Sequence, residues 1–516
     1  MNGADLLCET LLANDIDVCF ANPGTSEMHF VAALDRQPRM RCVLGLFEGV
    51  VTGAADGYAR MADKPAATLL HLGPGFANGI ANLHNARRAA TPIVNVVGDH
   101  ATFHLPYDAP LTSDIESLAR PVSHWIGRAD LADNVGQRTE EAISAATRSP
   151  GQIATLILHA DAAWSPTTVK TVGRAPRQVL RQPDMGRIDR AAKALRSGRR
   201  TTIIATGPAL REEPLKRLDR IANTAGARLM AQQANGRIRR GAGLPVVDRV
   251  PYGVDQALEA FAETEQVMLI GAKAPVGFFG YPGKPSSMLP EACEVMDLLV
   301  DGEDMVAAIE ALAEAVGVRP DLAARLAERR SPAMPSGRLT ADAIAAVLAH
   351  HMPAEAIVCD ESVSSGFGSF LMTSGAEPHD FLQLTGGAIG LGLPMSTGAS
   401  VACPDRKVIG LQADRSGMYT VQALWTQARE KLDIVTVVFA NRRYQILRKE
   451  LENVGAGAPG ENARRMLDLD NPDLDWVQIA AGMGVEAART DTVEGFADLL
   501  ASACARKGPF LIEAVI

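Results

Sequence analysis

The stretch Gly410-Leu411-Gln412-Ala413-Asp414-Arg415-Ser416-Gly417-Met418-Tyr419 decides how this chain is read. An apolar run over 407–412 gives way to Asp414 and then to small and hydroxyl residues, the pattern of a strand feeding a helix. The pattern recurs 27 positions later, where the run over 434–440 ends at Asn441 in Val438-Phe439-Ala440-Asn441-Arg442-Arg443-Tyr444. In an open α/β sheet the C-terminal strand ends line the ligand crevice, and the amides opening the next helix suit a phosphate. A carboxylate and an amide oxygen on neighbouring strand ends are hard ligands of the kind Mg²⁺ takes, completed by phosphates, a carbonyl and water. The pair therefore points to a magnesium diphosphate site. The plainer alternative is that Asp414 caps its helix and Asn441 sits in a turn.

Working outward, short β-branched runs alternate with alanine-rich amphipathic stretches along the whole chain, which predicts an α/β protein of three consecutive doubly wound parallel-sheet domains. Strands are expected at 17–20, 66–71, 92–97 and 153–158 in the first, with helices over 3–14, 48–61 and 78–89. The second has strands at 201–206, 228–231, 266–270 and 294–299, then a charged helix pair up to Arg330. The third has them at 357–360, 381–384, 407–412, 434–440 and 509–515. Polar, proline-containing stretches at 165–183 and 331–335 read as linkers, giving domains at 1–165, 184–330 and 336–516.

Composition excludes several classes of function. The 516 residues are 47% hydrophobic, enough for a core in each domain, and Lys+Arg 51 against Asp+Glu 60 leaves a net charge of −9. Without a basic excess, neither nucleic acid nor an anionic membrane is an expected partner. No apolar run approaches the ~18 residues of a spanning helix, and the start, Met1-Asn2-Gly3-Ala4-Asp5, lacks the basic region of a signal peptide; a cytoplasmic location is expected. The seven cysteines are odd in number, widely spaced and without a CxxC pair, which predicts buried free thiols.

A second chemistry-bearing stretch is Leu44-Gly45-Leu46-Phe47-Glu48-Gly49-Val50-Val51-Thr52-Gly53-Ala54-Ala55-Asp56-Gly57-Tyr58-Ala59-Arg60, which puts one carboxylate, Glu48, at the start of a helix of small residues. Taken alone it is also a first-turn glutamate favoured by the helix dipole. His71 is a candidate for proton transfer as well as for a structural role, whereas His29, His84, His100, His104 and His124 read as structural.

Together these stretches resemble the thiamine diphosphate enzymes, in their acetolactate synthase-like and benzoylformate decarboxylase-like branch. The family's Gly-Asp-Gly opening, closed near 27 residues later by Asn-Asn, is similar to the Asp414 and Asn441 segment. By that resemblance Asp414, the Asn441 side chain and the Arg443 carbonyl bind Mg²⁺, and Ser364, Ser416, Gly417, Met418 and Tyr444 belong to the diphosphate site. Glu48 looks like the catalytic glutamate that hydrogen-bonds the aminopyrimidine ring. Gly386-Gly387-Ala388-Ile389-Gly390-Leu391-Gly392-Leu393-Pro394 resembles the loop that cradles the cofactor, with the Gly387 carbonyl on the 4′-amino group and Ile389 as the wedge between the rings. Ala21-Asn22-Pro23-Gly24-Thr25-Ser26-Glu27 and His71-Leu72-Gly73-Pro74-Gly75 look like substrate-side loops, implicating Thr25, Ser26 and His71. The loop Pro275-Val276-Gly277-Phe278-Phe279-Gly280-Tyr281 has no histidine and presents Phe279 as part of an apolar wall suited to a small or hydrophobic acyl group.

Three residues depart from the family pattern: Ala413 and Arg415 replace its two glycines and Ala440 its first asparagine. The ligand-bearing atoms survive. At Arg415 a side chain costs about 1–2 kcal/mol if φ is positive, and a guanidinium there can instead pair with the diphosphate. The resemblance implies decarboxylation of a 2-oxo acid with thiamine diphosphate and Mg²⁺, followed by carboligation of the resulting enamine to a second carbonyl acceptor. Its alternatives are simple decarboxylation and a cofactor-impaired binding or regulatory paralogue. It also implies a homodimer or homotetramer with the active site between chains. No flavin is expected, since Ala205-Thr206-Gly207-Pro208 offers only one glycine after a strand. A nicotinamide-dependent oxidoreductase is disfavoured by the lack of GxGxxG after any strand.

Overall fold

The computed structural model describes residues 1–319 and 321–516. The first sheet is built from β1 (Val18–Asn22), β2 (Arg41–Leu44), β3 (Ala66–Leu70), β4 (Ile93–Asp99), β5 (Trp125–Ala129) and β6 (Ile153–His159), all parallel, in the order β2-β1-β3-β4-β6-β5. Strands β3, β4 and β6 are buried along their full length, which is why they read as continuous apolar runs rather than alternating ones.

The middle region contributes β7 (Thr201–Ala205), β8 (Arg228–Ala231), β9 (Arg237–Arg240), β10 (Asp248–Arg249), β11 (Gln266–Ile270) and β12 (Glu294–Asp297). Five of them form a parallel sheet ordered β10-β8-β7-β11-β12. The third sheet comprises β13 (Ile357–Glu361), β14 (His379–Gln383), β15 (Val408–Ala413), β16 (Ile434–Ala440), β17 (Glu486–Thr490) and β18 (Phe510–Val515), in the order β17-β18-β16-β15-β13-β14-β9. Strand β9, although it lies between β8 and β10 in the chain, crosses to this sheet and pairs antiparallel with β14, Phe381 opposite Ile238. The three parallel α/β sheets anticipated from the sequence are present, with that one antiparallel edge.

Four other expectations are corrected. The helix placed at 78–89 runs over Leu72–Arg88, so Gly73-Pro74-Gly75 forms its first turn instead of a loop. The charged helix pair is one helix, Met305–Val316; Pro320 lies outside the described residues, and 321–330 are not helical. The helix after Asp414 is a single turn, Asp414–Gly417, continued as a 3-10 turn. Of the cysteines, all free, Cys8, Cys19 and Cys359 are buried, but Cys42 is exposed on the edge strand β2.

Two helices of small residues, Glu48–Ala62 and Gly392–Ala402, join the first and third sheets through a common core that includes Val51, Ala55, Met395 and Ala399. A β-carbon on Gly57 would collide with the Met395 carbonyl, and one on Gly398 with the Ala54 carbonyl, so both positions need glycine for the backbones to approach. The motif Asp56-Gly57-Tyr58-Ala59-Arg60 thereby gains a structural reason. Arg60 is fully buried in a paired geometry with Asp56 (2.6 Å), and it also donates to the Gln383 carbonyl (2.8 Å) and Thr385 Oγ1 (3.1 Å) at the end of β14.

Candidate functional site

Two clusters of chemistry-bearing residues stand at C-terminal strand ends, one on the first sheet and one on the third. In the first, Glu48 opens its helix directly after an extended Phe47 and is buried. Its Oε2 accepts from Asn78 Nδ2 at 3.0 Å, and Oε1 lies against Gly75, where a β-carbon would come within 2.8 Å. Gly75 separates Glu48 from His71, whose Cβ would stand 3.3 Å from the same β-carbon.

His71 follows β3, and its Nδ1 is 2.8 Å from Glu27 Oε2. Glu27 is buried at the end of the 3-10 turn that carries Thr25 and Ser26; the same oxygen accepts from the Gly24 amide at 2.8 Å. Burial pushes the Glu27 carboxyl above its usual range, opposed chiefly by the neighbouring His71. With Glu27 as acceptor, Nδ1 carries the proton and Nε2 is the atom free for exchange. Glu27 was missed in the sequence: it occurs in the substrate-side stretch, but its partner is 44 residues away on another strand end.

In the second cluster, Asp414 directly follows β15 and Asn441 directly follows β16, its paired neighbour. Asp414 is buried; Oδ1 accepts from the Arg415 amide (2.8 Å) and Oδ2 from the Arg442 amide (2.7 Å). Desolvation raises its pKa, opposed by these main-chain donors. Asn441 Oδ1 accepts from the Arg443 amide at 3.0 Å, and Nδ2 donates to Ser365 Oγ at 3.1 Å. Ser365 thus reaches Asn441, while Ser364, half-buried in the same 3-10 turn, makes no side-chain hydrogen bond among the described residues. Ser416 turns inward to accept from Gln412, and Gly417 packs on Trp476, where a β-carbon would meet the ring at 2.7 Å. Met418 and Tyr419 are exposed.

Arg415 adopts helical backbone, so its side chain incurs no left-handed strain; the positive φ falls on Arg442, at 56°. The Arg415 guanidinium lies 3.2 Å from the centroid of the Tyr444 ring, with Nη2 3.4 Å from Tyr419 Oη.

The loop 385–391 is held between the helix Leu72–Arg88 and Glu361 of the third sheet. Asn85 Oδ1 accepts from the amides of Gly386 (3.1 Å) and Ala388 (3.2 Å), and Asn82 Nδ2 donates both to the Gly49 carbonyl (2.8 Å) and to the Gly390 carbonyl (3.1 Å). From below, the fully buried Glu361 accepts from the amides of Gly390 and Gly392, each at 2.6 Å. Gly387 has φ of 76°, and Ile389 stands half-buried beside it. Phe278 from the middle region covers Gly387, and Phe279, Tyr252 and Phe367 extend that aromatic surface. No hydrogen bond or ion pair joins the side chains of Glu48 or His71 to those of Asp414, Asn441 or Arg443 among the described residues.

The donor set fits a magnesium diphosphate better than a metal alone. No group of three or more His, Cys, Asp or Glu side chains that could hold a metal occurs among the described residues, so a cation at Asp414 depends on amide and carbonyl oxygens, which suit Mg²⁺. Arg415 and Arg443, close by, would repel a bare cation but favour one that arrives with an anion.

The thiamine pyrophosphate enzyme N-terminal TPP binding domain matches residues 1–116, and the C-terminal TPP binding domain matches residues 366–514. The chain is 50% identical to the Mycobacterium tuberculosis protein named "Putative acetolactate synthase large subunit IlvX", covering 100% of this chain and 99% of that one. It is 28% identical to benzoylformate decarboxylase of Pseudomonas aeruginosa, over 98% and 97% of the two chains. In fold it is similar to the thiamine diphosphate-dependent 4-hydroxybenzoylformate decarboxylase of Rhodococcus jostii RHA1, with a TM-score of 0.88 at 23% identity over 100% of this chain and 99% of that one. With both cofactor-binding domains matched around the Glu48 and Asp414 clusters, the chain belongs to the thiamine pyrophosphate enzymes.

Proposed function

We propose that this enzyme decarboxylates a 2-oxo acid with thiamine diphosphate and Mg²⁺ and releases the product after protonation by His71. The observation that carries this reading is the 2.8 Å contact between His71 Nδ1 and the buried Glu27, one glycine away from Glu48. When bound, thiamine diphosphate supplies the nucleophilic carbon and the electron sink for loss of CO₂. Glu48, oriented by Asn78, would hold the pyrimidine side of the cofactor through its carboxyl group. Gly387 and Ile389 would hold the rings from loop 385–391, which Asn85 and Glu361 keep in place. Asp414, Asn441 and the Arg443 carbonyl would hold the metal, with Ser364, Met418 and Tyr444 beside the diphosphate. Glu27 fixes His71 so that Nε2 gives or takes the proton at the substrate. Thr25 and Ser26, on the same turn as Glu27, and Phe279 would bound the acyl group.

The three units lie at 1–165, 184–330 and 336–516. The catalytic assembly is a homodimer or dimer of dimers in which the Glu48 cluster of one chain faces the Asp414 cluster of another. Supporting this, exposed apolar side chains flank both: Met28 and Leu46 on one, Met418, Tyr419 and Leu447 on the other. A second reading, ligation of the same acyl unit to a second carbonyl, is favoured by the name of the 50% identical relative.

The test is incubation of the protein, thiamine diphosphate and Mg²⁺ with a panel including pyruvate and benzoylformate, following CO₂ and organic products. Aldehyde release that falls about 10²–10⁴-fold in His71→Ala supports the first reading. A hydroxyketone or 2-hydroxy-2-alkyl acid as the main product supports the second. No CO₂ from any 2-oxo acid overturns both.

A further inference from the structure

Three arginines crowd the Asp414–Asn441 pair, and two of them have no carboxylate partner among the described residues. Arg442 pairs with Asp473 at 2.7 Å. Arg443 spends its Nε on the Asn441 carbonyl, 3.2 Å away, and forms no ion pair among the described residues. Arg415 likewise pairs with no carboxylate among the described residues: its guanidinium rests on the Tyr444 ring, Nη2 reaches only Tyr419 Oη, and Nε is buried without any hydrogen-bond partner. Asp414, next to it in the chain, cannot serve as its counter-ion in this arrangement, because its two oxygens face the amides of Arg415 and Arg442. A partly buried guanidinium donor with no protein acceptor at Nε is costly unless an anion completes it. The stacked ring holds the fork in one place, which reduces the freedom lost on binding a phosphate oxygen bidentately.

We propose that Arg415 is a diphosphate ligand carried by the chain itself, a fixed guanidinium that supplies part of the positive charge otherwise left to the metal. The inference rests on the thiamine diphosphate reading for the identity of its natural ligand, but the anion site is tested without it. The backbone at 415 being helical, replacement by glycine relieves no strain, so any change in binding reports the side chain.

The experiment is calorimetric titration of the full-length protein and of Arg415→Gly and Arg415→Lys with thiamine diphosphate and with inorganic pyrophosphate, each in excess Mg²⁺ and in EDTA. Thermal unfolding of each variant checks that it is folded. The expected result is that the unaltered protein binds both anions in EDTA. Arg415→Gly loses about 10- to 100-fold of that metal-free affinity, the worth of a charge-assisted hydrogen-bond pair. Arg415→Lys falls between them, since an ammonium keeps the charge but not the fork. In Mg²⁺ the glycine variant still binds thiamine diphosphate. Equal metal-free affinities for the unaltered protein and Arg415→Gly overturn the proposal, as does tighter binding by the glycine variant, which would make the side chain a plug. If no protein binds thiamine diphosphate even with Mg²⁺, the cofactor reading fails. The anion site then stands if pyrophosphate binding depends on Arg415 and falls if it does not.

Discussion

At the Glu48 cluster the charged and polar groups hold one another: Glu27 grips His71, Asn78 grips Glu48, and the elements that carry them come from one sheet. At the Asp414 cluster the carboxylate is held by main-chain amides, and two guanidinium groups, those of Arg415 and Arg443, have no acid to answer them among the described residues. The first is thus preorganised for proton movement within a single chain, where fixed partners cost nothing to reorganise during a reaction. The second leaves positive charge unmatched among the described residues. The difference supports the proposed division, with proton chemistry at the first sheet and anion capture at the third.

The largest effect that tests this division is Glu48→Gln. Its amide keeps a hydrogen-bond acceptor for Asn78 but cannot exchange a proton. Turnover is expected to fall about 10²–10⁴-fold, with thiamine diphosphate affinity by calorimetry changed only a few-fold. A parallel collapse of affinity would place Glu48 in binding instead, and the division between the clusters would fail.

Next in size is the joint between the two regions. Arg60 and Asp56 are buried to within a few per cent, and the guanidinium also holds the Gln383 carbonyl and Thr385 just before loop 385–391. Arg60→Ala leaves Asp56 charged and unmatched in the core, which is expected to cost about 3–5 kcal/mol in denaturant unfolding. If the loss is much smaller, the two sheets are coupled mainly by the apolar contact of their small-residue helices.

How much of this was legible in the sequence follows from what each residue's role depends on. Strands β4, β6, β11 and β16 are buried along their whole length, so apolar runs alone disclosed them. Strands β2, β5, β9 and β17 lie at sheet edges, partly exposed; Arg237-Ile238-Arg239-Arg240 carries three charges in four residues and joins a sheet far along the chain. No local pattern announces such a pairing. Leu72–Arg88 lost its first turn to Gly73-Pro74-Gly75 because proline is tolerated at a helix start, where its missing amide costs nothing. In the sites, Asp414, Asn441 and Glu48 stood out because each follows an apolar strand or opens a helix. Glu27, Ser365 and Glu361 did not, since their partners are 44, 76 and about 30 residues away. The unmatched charge of Arg415 is likewise visible only once Tyr444 and Tyr419 are brought beside it.

The smallest effect concerns Glu361, the carboxylate under loop 385–391, which accepts from the amides on either side of Leu391 and so holds the loop that carries Ile389. Burial raises its pKa, and the amides of Gly392 and Gly390 with Gln412 oppose that only in part. For a carboxyl group raised on folding, the native protein keeps a proton that the unfolded chain has already released, so the group's contribution to stability falls as pH rises from about 4.3. It is lost in full above the native value. Glu361→Gln does not titrate, and its amide leaves one of the two main-chain donors facing an N–H, a cost of about 1–3 kcal/mol. Denaturant unfolding of the two proteins across the acid-to-neutral range is expected to show that cost shrinking as pH rises. A cost that grew with pH would mean that the amides stabilise the charged form more than burial penalises it. Loop 385–391 would then be held most firmly where Glu361 is ionised, and Ile389 within it would share the reliance on a held carboxylate that marks the Glu48 side of the molecule.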